Sequence, residues 1–493
     1  MSASVLNQSL YTALVAQHLR ERGNKPAISK GDQTYTYRQT EESIESLARF
    51  LEEEYSLKHG DLACVEIGNE PEFLFATLAL NRLGAISVGI EPKPEERRRY
   101  IIGKTQPKLI ITKETIETAS ARKPKSLSAT IDQTESTQAN DTAIVIFSSG
   151  STGYPKGVCL SNTHLLRTAL NVSDLMLEGS NHKELLIAPL NHTDGWQRAA
   201  ATLLLGGEVR LFDDLLSPAV ICDWVARHGI RGLYCPPPLV EPLTRFLTSR
   251  KNILQSTKLM HIEIGSAKFR SSLIEDLRSA IKPLQLIVHY GLTECSRASF
   301  FNASDAYSGT LESIGTSSNG CELKIVDELG TCAKTNEMGE IAVRGEQCST
   351  LYWPGTTEKP SVTNDAEEWF YTGDYGFQDQ NGLFYFTGRR DDLITSNGFH
   401  FYPSEVETAI GNLDGVSEYK VCRLITEKQE YPILFAAAKE TVETKQKLLQ
   451  TLRERVPGYM IPRQIHFIDT LPRTPSGKVD SKKLLEGINI NAI

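Results

Sequence analysis

From about residue 34 onward, short apolar runs alternate with stretches of helical spacing. DLACVEIG (61–68) and GAISVGIEP (84–92) read as strands, and PEFLFATLALNRLG between them has the apolar spacing of a buried helix. In SIESLARFLEEEY the residues Ile44, Leu47 and Leu51 fall on one helical face. The rhythm continues through PKLIIT, TAIVIFS, ELLIAPL, EVRLF, GLYCPP, LMHIEIGS and LQLIVHYG, with helix-like pieces such as SSLIEDLRSAIK between them. Strand–helix alternation on this scale predicts an α/β fold of doubly wound, parallel sheets. Residues 114–140 are polar and weakly periodic and read as an exposed connector.

The texture changes after about residue 310. GCELKIVDELG, GEIAVRGE and DYGFQDQNGLFYFTG read as strand pairs, the last turning at Asn381-Gly382 as a two-residue hairpin. This predicts a β-rich subdomain at about 310–388, closing a large N-terminal domain of residues 1–388. From Arg389 a small, mobile α+β domain is expected over 389–493: a helix from about Pro403, strands at EYKVCRLI and ILFAAAK, a helix at ETKQKLLQTLRERV and a strand at RQIHFI.

Composition narrows the class without choosing a chemistry. Apolar residues make up 40% of the 493 and charged residues 23%, as in soluble globular proteins. A net charge of −8 argues against a nucleic-acid partner. Nine cysteines stand singly, with no C-x-x-C pair and no zinc spacing, which fits a reducing compartment better than a disulfide framework. MSASVLNQSLYTALVAQHLRERG lacks the basic start and apolar core of a signal peptide, and no apolar run reaches spanning length. A cytoplasmic location is the expectation.

The chemistry is carried by loops at strand ends. FSSGSTGYPKG (147–157) follows the apolar run AIVIF, at the carboxyl end of a predicted strand where open α/β sheets place ligands. Successive backbone N–H groups there form an anion nest, with Gly150, Gly153 and Gly157 permitting close approach, hydroxyls from Ser148, Ser149, Ser151 and Thr152, and a charge from Lys156. The stretch is not G-x-x-x-x-G-K-[ST], and alone it reads as readily as a surface turn. Its company decides: APLNHTDGW (188–196), GSAKF (265–269) and HYGLTE (289–294) follow other apolar runs, and YTGD (371–374), GRRDDLI (388–394) and LPRTPSGKVD (471–480) come later.

Together these motifs, in order and across essentially the whole chain, resemble the adenylate-forming superfamily of acyl- and aryl-CoA synthetases, peptide-synthetase adenylation domains and luciferase. The resemblance implies ATP-dependent activation of a carboxylic acid to an acyl-adenylate, release of pyrophosphate, and transfer to an acceptor, usually a thiol. It implies that Ser149, Gly150, Ser151, Thr152 and Lys156 cradle the β- and γ-phosphates. Tyr290 would stack on adenine, Gly291 beside it would belong to the ATP/AMP site, Thr293 would reach the α-phosphate, and Glu294 would hold Mg²⁺. Asp374, assisted by Arg389, would accept from the ribose hydroxyls. Lys478 would touch the carboxylate and α-phosphate oxygens, and Asp391 would be the hinge of the moving C-terminal domain.

The same resemblance places the acid pocket at His192 and Asp194, with Trp196, the run YCPPP (234–238), Gly265 and Ser266 lining the remaining wall. His192 occupies the register where amino-acid-activating relatives carry an aspartate, which favours an acyl or aryl acid. Asp194 stands two residues later, so amino-acid activation stays open, and His192 taken alone reads as a core histidine. Thr395 and His400 replace a lysine and an arginine common among relatives, which leaves the acceptor open. CoA is expected from the Tyr402-Pro403-Ser404-Glu405 segment; a carrier-protein pantetheine arm or an amine is the alternative. A silent adenylate-binding protein is the non-enzymatic alternative.

Overall fold

The computed structural model describes the chain apart from residues 1–2, 92, 123–138, 149–154, 177–178, 251–252, 266–268, 270, 305, 355, 358–368, 397–398, 412, 426–429, 475–478, 487 and 489–493. The chain forms two compact units. The first comprises Met1–Ala267, Leu273–Leu323 and Val343–Phe370; the second comprises Lys268–Ser272, Lys324–Ala342 and Tyr371–Ile493. Asp374 and Arg389 thus share the second unit. Among the described residues no helix is long and apolar enough to cross a membrane.

Two sheets build the first unit. In one, strands Gln285–Tyr290, His261–Gly265, Gly232–Cys235, Lys183–Leu186, Glu208–Leu211 and Pro26–Lys30 lie side by side and parallel. In the other, Thr142–Ser148, Ile86–Gly89, Leu62–Val65 and Leu109–Ile111 are parallel, and Lys156–Ser161 returns antiparallel beside Thr142–Ser148. Parallel strands need both faces covered, which is why they read as continuous apolar runs. Helix Tyr37–Tyr55 buries Ile44, Leu47 and Leu51 as its spacing predicts, behind a capping box of Thr36 and Gln39. Helices Pro71–Arg82, Asn162–Ser173 and Thr193–Leu204 contribute Leu74, Leu166 and Leu203 to the same core.

The second unit holds the α+β element. Strands Glu418–Ile425 and Glu430–Ala437 are antiparallel, Gln464–Ile468 adds a parallel edge, and helices Pro403–Ile410 and Val442–Arg455 cover one face through Val406, Ile410, Leu448 and Leu452.

Three local expectations are corrected. Residues 114–140 are not all connector: Lys113–Ala121 is a helix, capped by Thr112 and burying Ile116 and Ala119. Two apolar positions three apart suffice to seat a short helix, too sparse a signal to stand out in a polar stretch. The hairpin at Asn381-Gly382 is wider than two residues. Asp379 N–H donates to the Leu383 carbonyl (2.9 Å), its carboxylate accepts from the N–H groups of Asn381 and Leu383, and Gly382 takes φ +81°. The cysteines do not all stand alone: Cys295 and Cys348, 53 residues apart, form a disulfide across an antiparallel bridge. Spacing along the chain carries no trace of such a long-range pair.

Candidate active site

Strand ends position the first-unit residues. Ser148 pairs with Lys156, so the Gly-rich segment joins two antiparallel strands at their shared end. Ser149, Gly150, Ser151 and Thr152 lie outside the described residues. At Gly157 packing also calls for glycine: a Cβ there would stand 2.9 Å from both Phe147 and Val145. The Lys156 ammonium lies 5.6 Å from the centre of the Tyr352 ring, and the Tyr352 hydroxyl donates to Glu294 Oε1 at 2.9 Å.

Tyr290 ends the strand Gln285–Tyr290 and is 7% exposed. A Cβ on Gly291 would meet the Arg297 backbone nitrogen at 2.4 Å, so only glycine fits this sharp exit. Reciprocal bonds between Leu292 and Cys295 close the next turn, leaving Thr293 and Glu294 partly exposed on it. Ser349 N–H donates to the Glu294 carbonyl at 2.7 Å, which fixes the backbone beneath the carboxylate. With Tyr352 on one oxygen, Glu294 offers a hard, oriented carboxylate of the kind Mg²⁺ takes.

Of the residues expected in the acid pocket, Asp194 joins a buried charge network through Arg297. His192 is the N-cap of helix Thr193–Leu204, and burial pushes its imidazole below its ordinary value. Asp194, 29% exposed, accepts from the Tyr234 hydroxyl at 3.1 Å and lies 3.1 Å from Arg297 Nη1. Arg297 Nε reaches Glu263 at 3.2 Å, His289 Nδ1 lies 2.6 Å from the same oxygen, and Arg198 Nη1 donates to the other at 2.6 Å. Arg198 continues to Glu184 and His261, and Glu184 to His182. Burial alone would raise the Glu263 carboxyl, but Arg297, Arg198 and His289 hold it well below the carboxylate range. Glu184, equally buried, is held down at about 2 by Arg198 and His182, while burial and Arg198 lower His261 to about 3.

Two pocket expectations change in kind. Trp196, expected in the pocket wall, is 1% exposed and belongs to the main hydrophobic core. It lies in the first turn of helix Thr193–Leu204, whose buried side packs into that core. Gly265 leaves room for a neighbour: a Cβ there would strike the His289 ring at 2.2 Å. Ser266 lies outside the described residues.

In the second unit, Asp374 and Arg389 are direct cross-strand partners, with Arg389 Nε 3.1 Å from Asp374 Oδ1. Gly373, at φ +72°, donates its N–H to Glu340, and Asp374 N–H donates to Thr372 Oγ1, so the carboxylate sits on a braced turn. Asp391 lies in the short 3₁₀ turn Arg390–Asp392. Thr395 and His400 pair across the following hairpin. Tyr402 and Glu405 form a capping box with Pro403 at the first helical position, so this segment is also a helix start. An Arg473–Val479 bridge closes the base of the loop that carries Lys478, which itself lies outside the described residues.

Tyr352, Glu263, Arg297 and Arg198 lie outside the sequence motifs, and Tyr234 and His289 stand inside YCPPP and HYGLTE without a role of their own. For Glu263 the signal is a charged residue inside an otherwise apolar strand, HIEIG, where all five positions are buried.

Comparison with known proteins fits this geometry. Residues 15–353 match the AMP-binding enzyme family and residues 405–478 the AMP-binding enzyme C-terminal domain, and the chain belongs to that family of adenylate-forming enzymes. It is 28% identical to a 2-succinylbenzoate–CoA ligase of Bacillus licheniformis over 483 residues, 94% of this chain and 96% of that one. It is 29% identical to an indoleacetate–CoA ligase of Aromatoleum aromaticum over 339 residues, 68% of this chain and 65% of that protein. Thus the matched stretch spans just under two thirds of the second relative. The fold is that of ATP-bound MatB from Rhodopseudomonas palustris, with a TM-score of 0.86, 23% identity and 97% and 98% of the two chains covered.

Proposed function

We propose that this chain is an AMP-forming acid–thiol ligase that activates an acyl or aryl carboxylic acid with ATP and passes it to CoA. The carboxylate oxygen attacks the α-phosphorus, the bond to the β-phosphate breaks, and pyrophosphate leaves; the CoA sulfur then attacks the acyl carbon and AMP departs. Ser149, Gly150, Ser151, Thr152 and Lys156 hold the leaving pyrophosphate, and Tyr290 and Gly291 the adenine. Thr293 meets the α-phosphate, and Asp374 with Arg389 takes the ribose. Lys478 neutralises charge between the carboxylate and the α-phosphate, on a C-terminal domain (389–493) that turns at Asp391. Mg²⁺, held by Glu294, would spread charge over the phosphates.

One observation carries the substrate class. The Asp194 carboxylate already lies 3.1 Å from Arg297 and accepts from Tyr234, and His192 beside it is disposed to be neutral. An α-ammonium entering here would lose water without gaining an unmatched anion. An acyl or aryl tail loses nothing of the kind and gains from apolar burial. CoA is supported by the two relatives, both named CoA ligases.

The test is pyrophosphate release over a panel of aryl, acyl and amino acids, followed by addition of CoA. Release is expected with aryl or acyl acids and little with the twenty amino acids, and CoA should discharge the adenylate. Selective turnover of one amino acid would overturn the pocket argument. Adenylate that CoA never takes would move the acceptor to a carrier protein or an amine.

A further inference from the structure

Behind Glu294 the fold gathers three sulfurs from distant parts of the chain. Cys295 follows Glu294 directly, Cys348 precedes the Ser349 whose N–H bonds the Glu294 carbonyl, and Cys321 opens the strand Cys321–Val326. The three Sγ atoms lie within 4.8 Å of one another, and Cys295 Sγ is 3.9 Å from Cys321 Sγ. Cys295 and Cys321 are buried and Cys348 is partly so. Among the described residues this is the one group of three metal-ligating side chains so close together.

We infer that Cys295, Cys321 and Cys348 form a site for one soft, thiophilic cation when the chain is reduced. Two sulfurs bound ~2.3 Å from one ion at trigonal or tetrahedral angles stand about 3.8–4.0 Å apart, which the Cys295–Cys321 separation matches. An all-sulfur set selects soft d¹⁰ ions and rejects Mg²⁺, so the site does not compete with Glu294 for the nucleotide's metal. The disulfide is the closed form of the site. A dithiol opens it by giving two electrons and two protons to the Cys295 and Cys348 sulfurs and becoming a disulfide itself. A divalent ion then replaces the three thiol protons, giving a tris-thiolate and releasing three protons. Because the turn carrying Glu294 is tied to both Cys295 and Ser349, occupancy bears on the nucleotide's metal ligand.

The probe is Cd²⁺ alone, added to full-length chain that has been reduced and desalted under inert gas. Thiolate-to-cadmium charge-transfer absorption and cadmium retained after gel filtration are read together. One ion per reduced chain is expected, and none on chain oxidised with a low-molecular-weight disulfide. Cys321→Ser and Cys348→Ser should each weaken binding by roughly 100-fold, since even outer-shell changes cost 10–100-fold. Cys332→Ser, at the exposed cysteine, should change nothing. Failure of the reduced chain to bind, parent affinity in Cys321→Ser, or binding that follows Cys332 would each overturn the site. Cadmium should also raise KM for MgATP in the parent and not in Cys321→Ser; an unchanged KM would remove the link to Glu294.

Discussion

Glu263 and Glu294 are both carboxylates near the carboxyl ends of neighbouring strands, yet they live in opposite surroundings. Glu263 is fully buried, with Arg198, Arg297 and His289 on its two oxygens. Glu294 is partly exposed on a turn, and a neutral tyrosine hydroxyl holds one oxygen. The first carboxylate has its charge matched inside the protein and can offer nothing to a ligand without breaking that match. The second is the one that, on the proposed function, meets a cation from solution. Burial and the charge of the partners, not residue type, separate a structural acid from one proposed to bind a ligand.

The largest effect should come from upsetting the buried member. Glu263→Gln leaves Arg198 and Arg297 with a neutral neighbour in a dry interior and should destabilise the fold by about 3–5 kcal/mol. Glu294→Gln should leave the melting midpoint nearly unchanged while slowing adenylate formation. Thermal unfolding and pyrophosphate release, measured on both variants, separate the roles. A stable Glu263→Gln chain with lost activity would put Glu263 in the site and break the comparison.

Next comes Lys478→Ala. On the proposed function it removes a charge that meets the developing anion, and it should slow adenylation by about 10²–10³-fold, the size found for other transition-state donors. Thioester formation from pre-made acyl-adenylate should largely survive, because Lys478 serves only the first half-reaction in this reading. Equal loss in both half-reactions, in a folded chain, would remove the assignment.

Lowering pH tests the buried network from another side. His261 titrates near 3 in the folded chain against an ordinary value of 6.5, because burial and Arg198 disfavour its charge. The unfolded chain therefore takes the proton first, and stability falls as pH drops from 6.5 toward 3. On the order of 2 kcal/mol should go between pH 6.5 and 5 through this residue. Glu184, held near 2, adds its own loss only as pH falls below about 4.5. His261→Gln should flatten the first of these slopes, and an unchanged slope would show that His261 is not its source.

The two carboxylates also show what a sequence displays. Glu294 sits in YGLTE, a contiguous stretch whose glycine, hydroxyl and acid are set by one turn, so its surroundings are local and legible. The alternating apolar runs were equally legible, because parallel strands and their covering helices impose a period on the chain. Glu263 depends on side chains at 198, 289 and 297, and no periodicity announces a partnership across four elements. Trp196 shows the same limit: an aromatic near a pocket motif reads as wall, and its place in the main core appears only in the fold. The disulfide between 295 and 348 lay equally beyond spacing.

The smallest expected effect falls on the link between Glu294 and its neighbour. Tyr352→Phe keeps the ring beneath Lys156, and with it the cation–π contact at 5.6 Å, but deletes the hydroxyl that donates to Glu294 Oε1. One hydrogen bond at a partly exposed site contributes about 1 kcal/mol, so KM for MgATP should rise roughly fivefold with kcat little changed. The Mg²⁺ concentration giving half-maximal rate should rise with it, because the carboxylate loses its orientation and not its charge. Stability should stay within about 0.5 kcal/mol of the parent, in contrast to Glu263→Gln. A fall in kcat with KM unchanged would mean that Tyr352 acts on the reacting phosphate rather than through Glu294. Equal loss of stability in Tyr352→Phe and Glu263→Gln would erase the distinction between the two carboxylates, since both would then be held for the fold.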